Sequence, residues 1–308
     1  MIKRNRSVNP TLALPLCLAL APLGAAQEFK AGQPLGNTNE AGVRMEMSDN
    51  VTVYGSFHFA ESCTFDPQRN LIIAMNAGER SDVAAPDGYA SLINPDGSVH
   101  TSKWIGATRD GLDLISPIGS TIRDGVLYTV DSGFVRSFDL ETGRPLNSIE
   151  VPDAGFLNGI AVDGDGTAYV SDTRPGELVW KVTAGGEVSI FAEGAPLTLP
   201  NGVAMDNDGN IVVVNMGSTD VVTYSSDGAV VRTEQAAESG SDGVVVLPDG
   251  TKYVSSVRYG SVSKLIAGED PEVIATGIPN AASLCYDSTQ HQLVIPLNPN
   301  NALAFIRL

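Results

Sequence analysis

The chain has 308 residues, with 36 Asp+Glu against 19 Lys+Arg, 32 Gly, 18 Pro and 3 Cys. That length can bury a full core in one large domain or two small ones, and the formal charge of −17 excludes most nucleic-acid partners, because phosphate binding needs a basic surface. Charged residues at 18% beside apolar ones at 43% exclude a disordered chain, and the abundance of Gly and Pro implies many turns rather than long helices, so an all-β globular protein is expected.

Lys3, Arg4 and Arg6 open the chain, residues 11–23 are largely apolar, and Gly24, Ala25 and Ala26 follow as small residues. This is the order of a secretory signal peptide, with an apolar stretch too short to span a bilayer comfortably. Cys17 follows Leu16 rather than a small residue, which argues against a lipoprotein anchor. Residues 1–26 are therefore expected to be a cleaved signal peptide. The remainder, with 16 basic against 36 acidic residues, is expected to be secreted or periplasmic, with no membrane segment. Residues 27–50 read as a lead-in to the domain at 51–308.

That domain repeats itself. Leu-Asn-Gly-Ile-Ala-Val-Asp-Gly-Asp-Gly at 157–166, Pro-Asn-Gly-Val-Ala-Met-Asp-Asn-Asp-Gly at 200–209 and Ser-Asp-Gly-Val-Val-Val-Leu-Pro-Asp-Gly at 241–250 share one pattern. In each, an apolar strand runs into an Asp-Gly turn and a second strand follows, which is a hairpin signal. Weaker copies turn at Asp124-Gly125, Gln68-Arg69 and Thr289-Gln290. The residues seven before each turn are Glu61, Pro117, Asn158, Asn201, Asp242 and Ala282, separated by 56, 41, 43, 41 and 40 positions. That is the period of a blade-like β repeat. Each unit has room for third and fourth strands, except that the last stops after a third strand at 302–308. A strand at 51–56 can complete it and remove two open edges. A six-bladed β-propeller of four-stranded blades follows, its ring closed by the N-terminal strand joining the last blade.

In such a ring the first strand of every blade lines the central channel, so the six repeat positions stand at one level. Four of them are Glu61, Asn158, Asn201 and Asp242, hard oxygen donors from four blades. Two carboxylates and two amides suit Ca²⁺ or another divalent cation of similar preference, whereas Zn²⁺ favours His or Cys. Pro117 and Ala282 leave one side of the ring without a donor, as a cation open to substrate or water requires. A purely structural role for Asn-Gly and Asp-Gly pairs ahead of strands is the alternative.

The pattern of Glu in the first blade, Asn in the third and fourth and Asp in the fifth resembles the SMP-30/gluconolactonase/LRE-like family over nearly the whole chain after residue 26. The resemblance implies a divalent-metal site, usually Ca²⁺, and a hydrolase acting on sugar lactones or other lactones. By the same resemblance Glu61, Asn201 and Asp242 hold the metal and Asn158 touches substrate or a metal-bound water. Asp242 also acts there as catalytic base. The sequence departs from the family at Glu61-Ser62-Cys63, where Glu-Gly-Pro is frequent. It departs again at Phe156 and Gly159, where the family has a substrate-binding Arg and an Asp. A non-enzymatic propeller that binds a ligand or protein, and a lyase or isomerase on the same metal, stay open.

Among other groups, the second-strand ends are expected to set Asn76, Asp131, Asp172, Asn215, Arg258 and Asn298 around the mouth. Arg258 beside Tyr259 offers a cation and an aromatic to an anionic or ring substrate, and His58 can project toward the mouth for proton transfer. Cys63 and Cys285 fall on inner strands of neighbouring blades. Counted from the repeat positions they alternate to opposite faces, so two buried thiols are expected rather than a disulfide. A small-molecule substrate is the expected partner, with no nucleic acid, no membrane after signal cleavage and no obligate protein partner.

Overall fold

A computed structural model describes residues 36–79, 86–107 and 113–308. The expected signal peptide, and residues 27–35 of the lead-in, lie outside the described residues. Among those described, six four-stranded antiparallel sheets make a ring of blades. The inner strands of blades 1 to 5 are Ala60–Asp66, Pro117–Arg123, Leu157–Val162, Pro200–Met205 and Ser241–Val246. Blade 6 combines Cys285–Asp287, Gln292–Leu297 and Ala302–Arg307 with the N-terminal strand Val51–Gly55. That last pairing, Val51 opposite Ile306 through Gly55 opposite Ala302, closes the ring as expected.

The core lies between blades. Six clusters of buried apolar side chains each unite two neighbouring sheets. Middle strands therefore need apolar residues on both faces, and alternation divides them. In Ile211–Asn215, Ile211 and Val213 join the cluster shared with blade 3, while Val212 and Val214 join the cluster shared with blade 5. This is why the second strands read as continuous apolar runs. Outer strands such as Pro145–Glu150 are largely exposed and carry mixed residues. The described lead-in is a small hairpin of Gly36–Thr38 and Arg44–Glu46. It is held by Ser48 N–H donating to Thr276 O at 3.1 Å and by Met47 packing against the cluster between blades 5 and 6.

Inner strands approach one another closely at the channel. A Cβ on Gly159 would lie 2.3 Å from Asn201 O, one on Gly119 2.1 Å from Asn158 O, and one on Gly202 2.6 Å from Asp242 O. The glycines after Ile118, Asn158 and Asn201 are thus required by the neighbouring blade's backbone rather than by a turn. The same contact corrects one repeat position. Gly119 follows Ile118, and Pro117 pairs with Asp131 just as Leu157 pairs with Asp172 and Pro200 with Asn215. The blade 2 member of the ring is therefore the buried Ile118, not Pro117. The two-residue turn between Arg123 and Val126 is tighter than in blades 3 to 5, which displaced the count by one.

The expectation of two free thiols is also overturned. Cys63 and Cys285 form a disulfide between blades 1 and 6, with Cα atoms 5.4 Å apart. Alternation failed because neither inner strand is a regular pleat there. The pairing of blade 1 shifts between Ala60 and Ser62, and the first strand of blade 6 holds only isolated bridges at Ala281 and Ser283 before Cys285.

Candidate functional site

Every inner strand that carries a donor breaks register at the donor. Pairing shifts between Ala60 and Ser62, Leu157 and Ile160, Pro200 and Val203, and Ser241 and Val244. Bulges of this kind free a side chain from the pleat and re-aim it. The four side chains are buried, with exposures of 4% for Glu61, 2% for Asn158, 1% for Asn201 and 3% for Asp242.

Their hydrogen bonds leave oxygen behind. Asn158 Nδ2 donates to Thr173 Oγ1 at 3.3 Å, and Asn201 Nδ2 donates to Asp242 Oδ2 at 3.2 Å. Asn158 Oδ1, Asn201 Oδ1 and Asp242 Oδ1 are buried with no hydrogen-bond partner. Native interiors seldom leave polar atoms in this state, because each costs on the order of 1–3 kcal/mol. Burial pushes the Asp242 carboxyl up to about 7, against the lowering effect of the Asn201 N–H. A hard cation would satisfy the Asn201 and Asp242 oxygens and favour the ionised carboxylate, and a water or ligand held beside it would satisfy the Asn158 oxygen. Among the described residues no group of three or more His, Cys, Asp or Glu could hold a metal, so a cation here depends on amide oxygens as well as on Glu61 and Asp242. With that composition the donor set fits Ca²⁺-like chemistry and not a His- or Cys-seeking metal. Ile118 and Ala282, apolar and buried, occupy the remaining two places.

Hydroxyls lock the ring from behind. Ser171 Oγ accepts from Gly159 N at 2.8 Å and donates to Asn201 O at 2.5 Å. Ser255 Oγ repeats this with Gly243 N at 2.9 Å and Ala282 O at 2.7 Å. In blade 1 Ser62 donates its Oγ to Ile118 O.

The second-strand ends act differently from expectation. Asn76, Asp131, Asp172 and Asn215 are buried and clamp the loops that deliver the inner strands. Their side-chain oxygens accept from His58 N at 3.0 Å, from Ile115 N at 3.0 Å and Ser116 N at 2.6 Å, from Gly155 N and Phe156 N at 2.8 Å, and from Thr198 N at 2.8 Å. Blade 5 uses Ser256, whose Oγ donates to Ser239 O at 2.7 Å. Asn298 stands one place further on and belongs to none of these clamps.

His58 is half-buried, and its backbone is tied to Asn76. Arg258 is exposed, its Cβ resting over Gly240. The side-chain hydrogen bonds of Asn158, Asn201 and Asp242 go to Thr173 and to one another, not to His58 or Arg258. Phe156 is covered by a cation from the next loop, with Arg174 Cζ 6.0 Å from the ring centroid. Sequence reasoning missed Arg174, and only its place directly after the Asp172-Thr173 strand end could have flagged it.

No family model matches the chain, and no curated protein matches it in sequence. Solved structures match its fold. A gluconolactonase from Xanthomonas campestris superposes with a TM-score of 0.62 at 17% identity, covering 94% of this chain and 99% of that one. Virginiamycin B lyase from Staphylococcus aureus does so at 0.57 and 12%, covering 84% and 99%. A protein of unknown function from Bacteroides thetaiotaomicron scores 0.58 at 14%, covering 86% and 79%. At these identities the likeness is one of fold: the chain is a six-bladed propeller of a shape that known enzymes share.

Proposed function

We propose that this propeller is an exported, divalent-cation-dependent hydrolase of a lactone or related cyclic ester, similar to the SMP-30/gluconolactonase family, with Ca²⁺ as the cation. The observation that carries the reading is the set of three buried, unpartnered oxygens on Asn158, Asn201 and Asp242, at one level of the channel with the buried carboxylate of Glu61. Glu61, Asn201 and Asp242 hold the cation. When bound, the cation polarises a substrate carbonyl and makes a nearby water more acidic.

The chain's own groups do the rest. Asn201 Nδ2 fixes Asp242 Oδ2, so that the carboxylate beside the cation is held in place to accept a proton from the attacking water. Thr173 Oγ1 orients the Asn158 amide, so that its carbonyl oxygen is presented to a substrate hydroxyl or to water. Ile118 and Ala282 provide an apolar side against which a ring substrate can lie. Arg174 and Arg258 are exposed on the loops of the donor face and favour a substrate with anionic or strongly polar groups. Export is supported by residues 1–26 and by a disulfide, a bond that persists in oxidising compartments.

Turnover of a lactone panel with and without EDTA tests the reading: hydrolysis lost on chelation and restored by Ca²⁺ is expected, and hydrolysis unchanged by chelation overturns it. A lyase reading draws support from the virginiamycin B lyase fold neighbour. Mass spectrometry separates the two, because hydrolysis adds one water to the opened ring and elimination leaves the mass unchanged.

A further inference from the structure

Asn298 begins the short 3-10 turn Asn298–Asn300 after the second strand of blade 6. Its side chain is only 7% exposed, yet Oδ1 is buried without a hydrogen-bond partner, in the same condition as the three donor oxygens. Its place in the ring explains why that matters. Leu297 pairs with Ala281 as Asp172 pairs with Leu157, so Asn298 occupies the position held in blade 3 by Thr173. There the Thr173 hydroxyl bridges two blades, meeting Asn158 Nδ2 at 3.3 Å and donating to Pro200 O of blade 4 at 2.7 Å.

The blade that follows blade 6 around the ring is blade 1. The Asn298–Asn300 turn packs on the blade 1 strand Ala60–Asp66 that carries Glu61. The next residue fixes it there: Asn301 Oδ1 accepts from Phe59 N at 2.8 Å, and Asn301 O accepts from Phe57 N at 3.4 Å. Blade 6 offers only Ala282 at the donor level. An unpartnered amide oxygen thus stands at the register position between a blade that lacks a donor and the blade that supplies Glu61.

We propose that Asn298 supplies the sixth blade's oxygen to the cation held by Glu61, Asn201 and Asp242. The assignment rests on the cation reading above and adds to it a ligand delivered from a second-strand end rather than from an inner strand. A neutral amide oxygen suits an ion that gathers six to eight oxygens.

Calorimetric titration of the metal-free protein with CaCl₂ tests it on the full chain, beside Asn298→Ala and Asn298→Asp. Asn298→Ala is expected to weaken Ca²⁺ binding roughly tenfold. Asn298→Asp is expected to tighten it, because a third carboxylate adds attraction for a divalent ion. Equal affinity in all three proteins overturns the Asn298 assignment while leaving the other ligands in place. No Ca²⁺ uptake by the unsubstituted chain overturns the cation reading and this assignment with it. If Asn298→Ala fails to fold, the isosteric Asn298→Asp decides alone: tighter binding supports the assignment, and unchanged or weaker binding overturns it.

Discussion

Asp242 and Asn158 share a level of the channel but differ in charge, and their substitutions should separate. Asp242→Asn removes one of two carboxylates and should weaken Ca²⁺ binding, since two charges attract a divalent ion far better than one. It also removes the proposed base, so turnover should stay low at saturating Ca²⁺. Full rescue by excess Ca²⁺ would show that Asp242 is a ligand only. Asn158→Ala removes a neutral oxygen and should raise KM while leaving Ca²⁺ affinity within a modest factor; equal loss of metal in both variants would make Asn158 a ligand. The glycine beside it has a purely steric duty. In Gly159→Ala the new Cβ would sit 2.3 Å from Asn201 O and 2.7 Å from Val203 N, backbone atoms that cannot turn aside. A loss of about 3 kcal/mol is expected, read as a lower denaturant midpoint at unchanged slope. The shared level of Glu61, Asn158, Asn201 and Asp242 in the ring was legible in the sequence because these residues recur with the blade period. Ile118 was misplaced because the count began at a turn whose length varies, whereas the glycine forced by the neighbouring backbone marks the level directly. Asn298 was legible only as a mouth residue, because it lies outside the inner-strand repeat.

At the scale of the strand and its loop, the recurring device is the buried Asx clamp. Asp172 accepts from Gly155 N and Phe156 N and also from Trp180 Nε1 at 3.1 Å. Asp172→Ala orphans three donors at once and should cost about 3 kcal/mol, with the loop ahead of Asn158 losing amide protection first in hydrogen exchange. Blades 1 and 4 show that Asn serves the same role, which makes Asp131→Asn informative about charge. Burial raises the Asp131 carboxyl, outweighing the lowering effects of Ser116 N–H, Ile115 N–H and Arg136. The Arg136 Nε lies 2.8 Å from Oδ2, and that pairing offsets only part of the effect of burial. A carboxyl raised in the folded state contributes stability that is full below its unfolded value near 4 and is lost as pH rises through the folded value. The unsubstituted protein should therefore lose stability relative to Asp131→Asn as pH rises from about 4 toward neutrality, measured by urea midpoints across that range. An unchanged difference between the two proteins over the range would contradict that direction. The clamps of blades 1 to 4 were visible in the sequence as polar residues ending the second strands. Their duty was not, because a side chain that serves its own loop and one that serves a ligand look alike until hydrogen bonds are assigned.

For the molecule as a whole, the decisive question is how the ring stays shut. The period of the repeats made the blade count readable, and the unpaired strand at 51–56 made the closure readable. The disulfide was not readable, because it depends on irregular backbone at Ala60–Ser62 and Ala281–Cys285. Beside the packing and hydrogen bonds between them, blade 1 and blade 6 are joined by the strand Val51–Gly55, which leads directly into blade 1 and is hydrogen-bonded to Ala302–Arg307, and by the Cys63–Cys285 bridge across 222 residues. They act on different states. The strand contributes native hydrogen bonds and covers edges that would otherwise pair with other chains. The bridge mainly restricts the unfolded chain, and for a loop of this length the chain-entropy account gives about 5 kcal/mol. A Cys63→Ser, Cys285→Ser double variant should consequently still fold into the same ring, since every strand pairing remains, but should melt at a clearly lower temperature. The unsubstituted protein unfolded in reductant should approach the variant's midpoint, and the variant itself should be indifferent to reductant. Deleting 51–55 with the bridge intact should do the opposite, leaving chain connectivity closed but two edges bare, so that aggregation in light scattering precedes any change in melting of the remaining blades. If the double variant instead aggregates while the strand deletion stays monomeric, the bridge and not the strand is what keeps the first and last blades in contact.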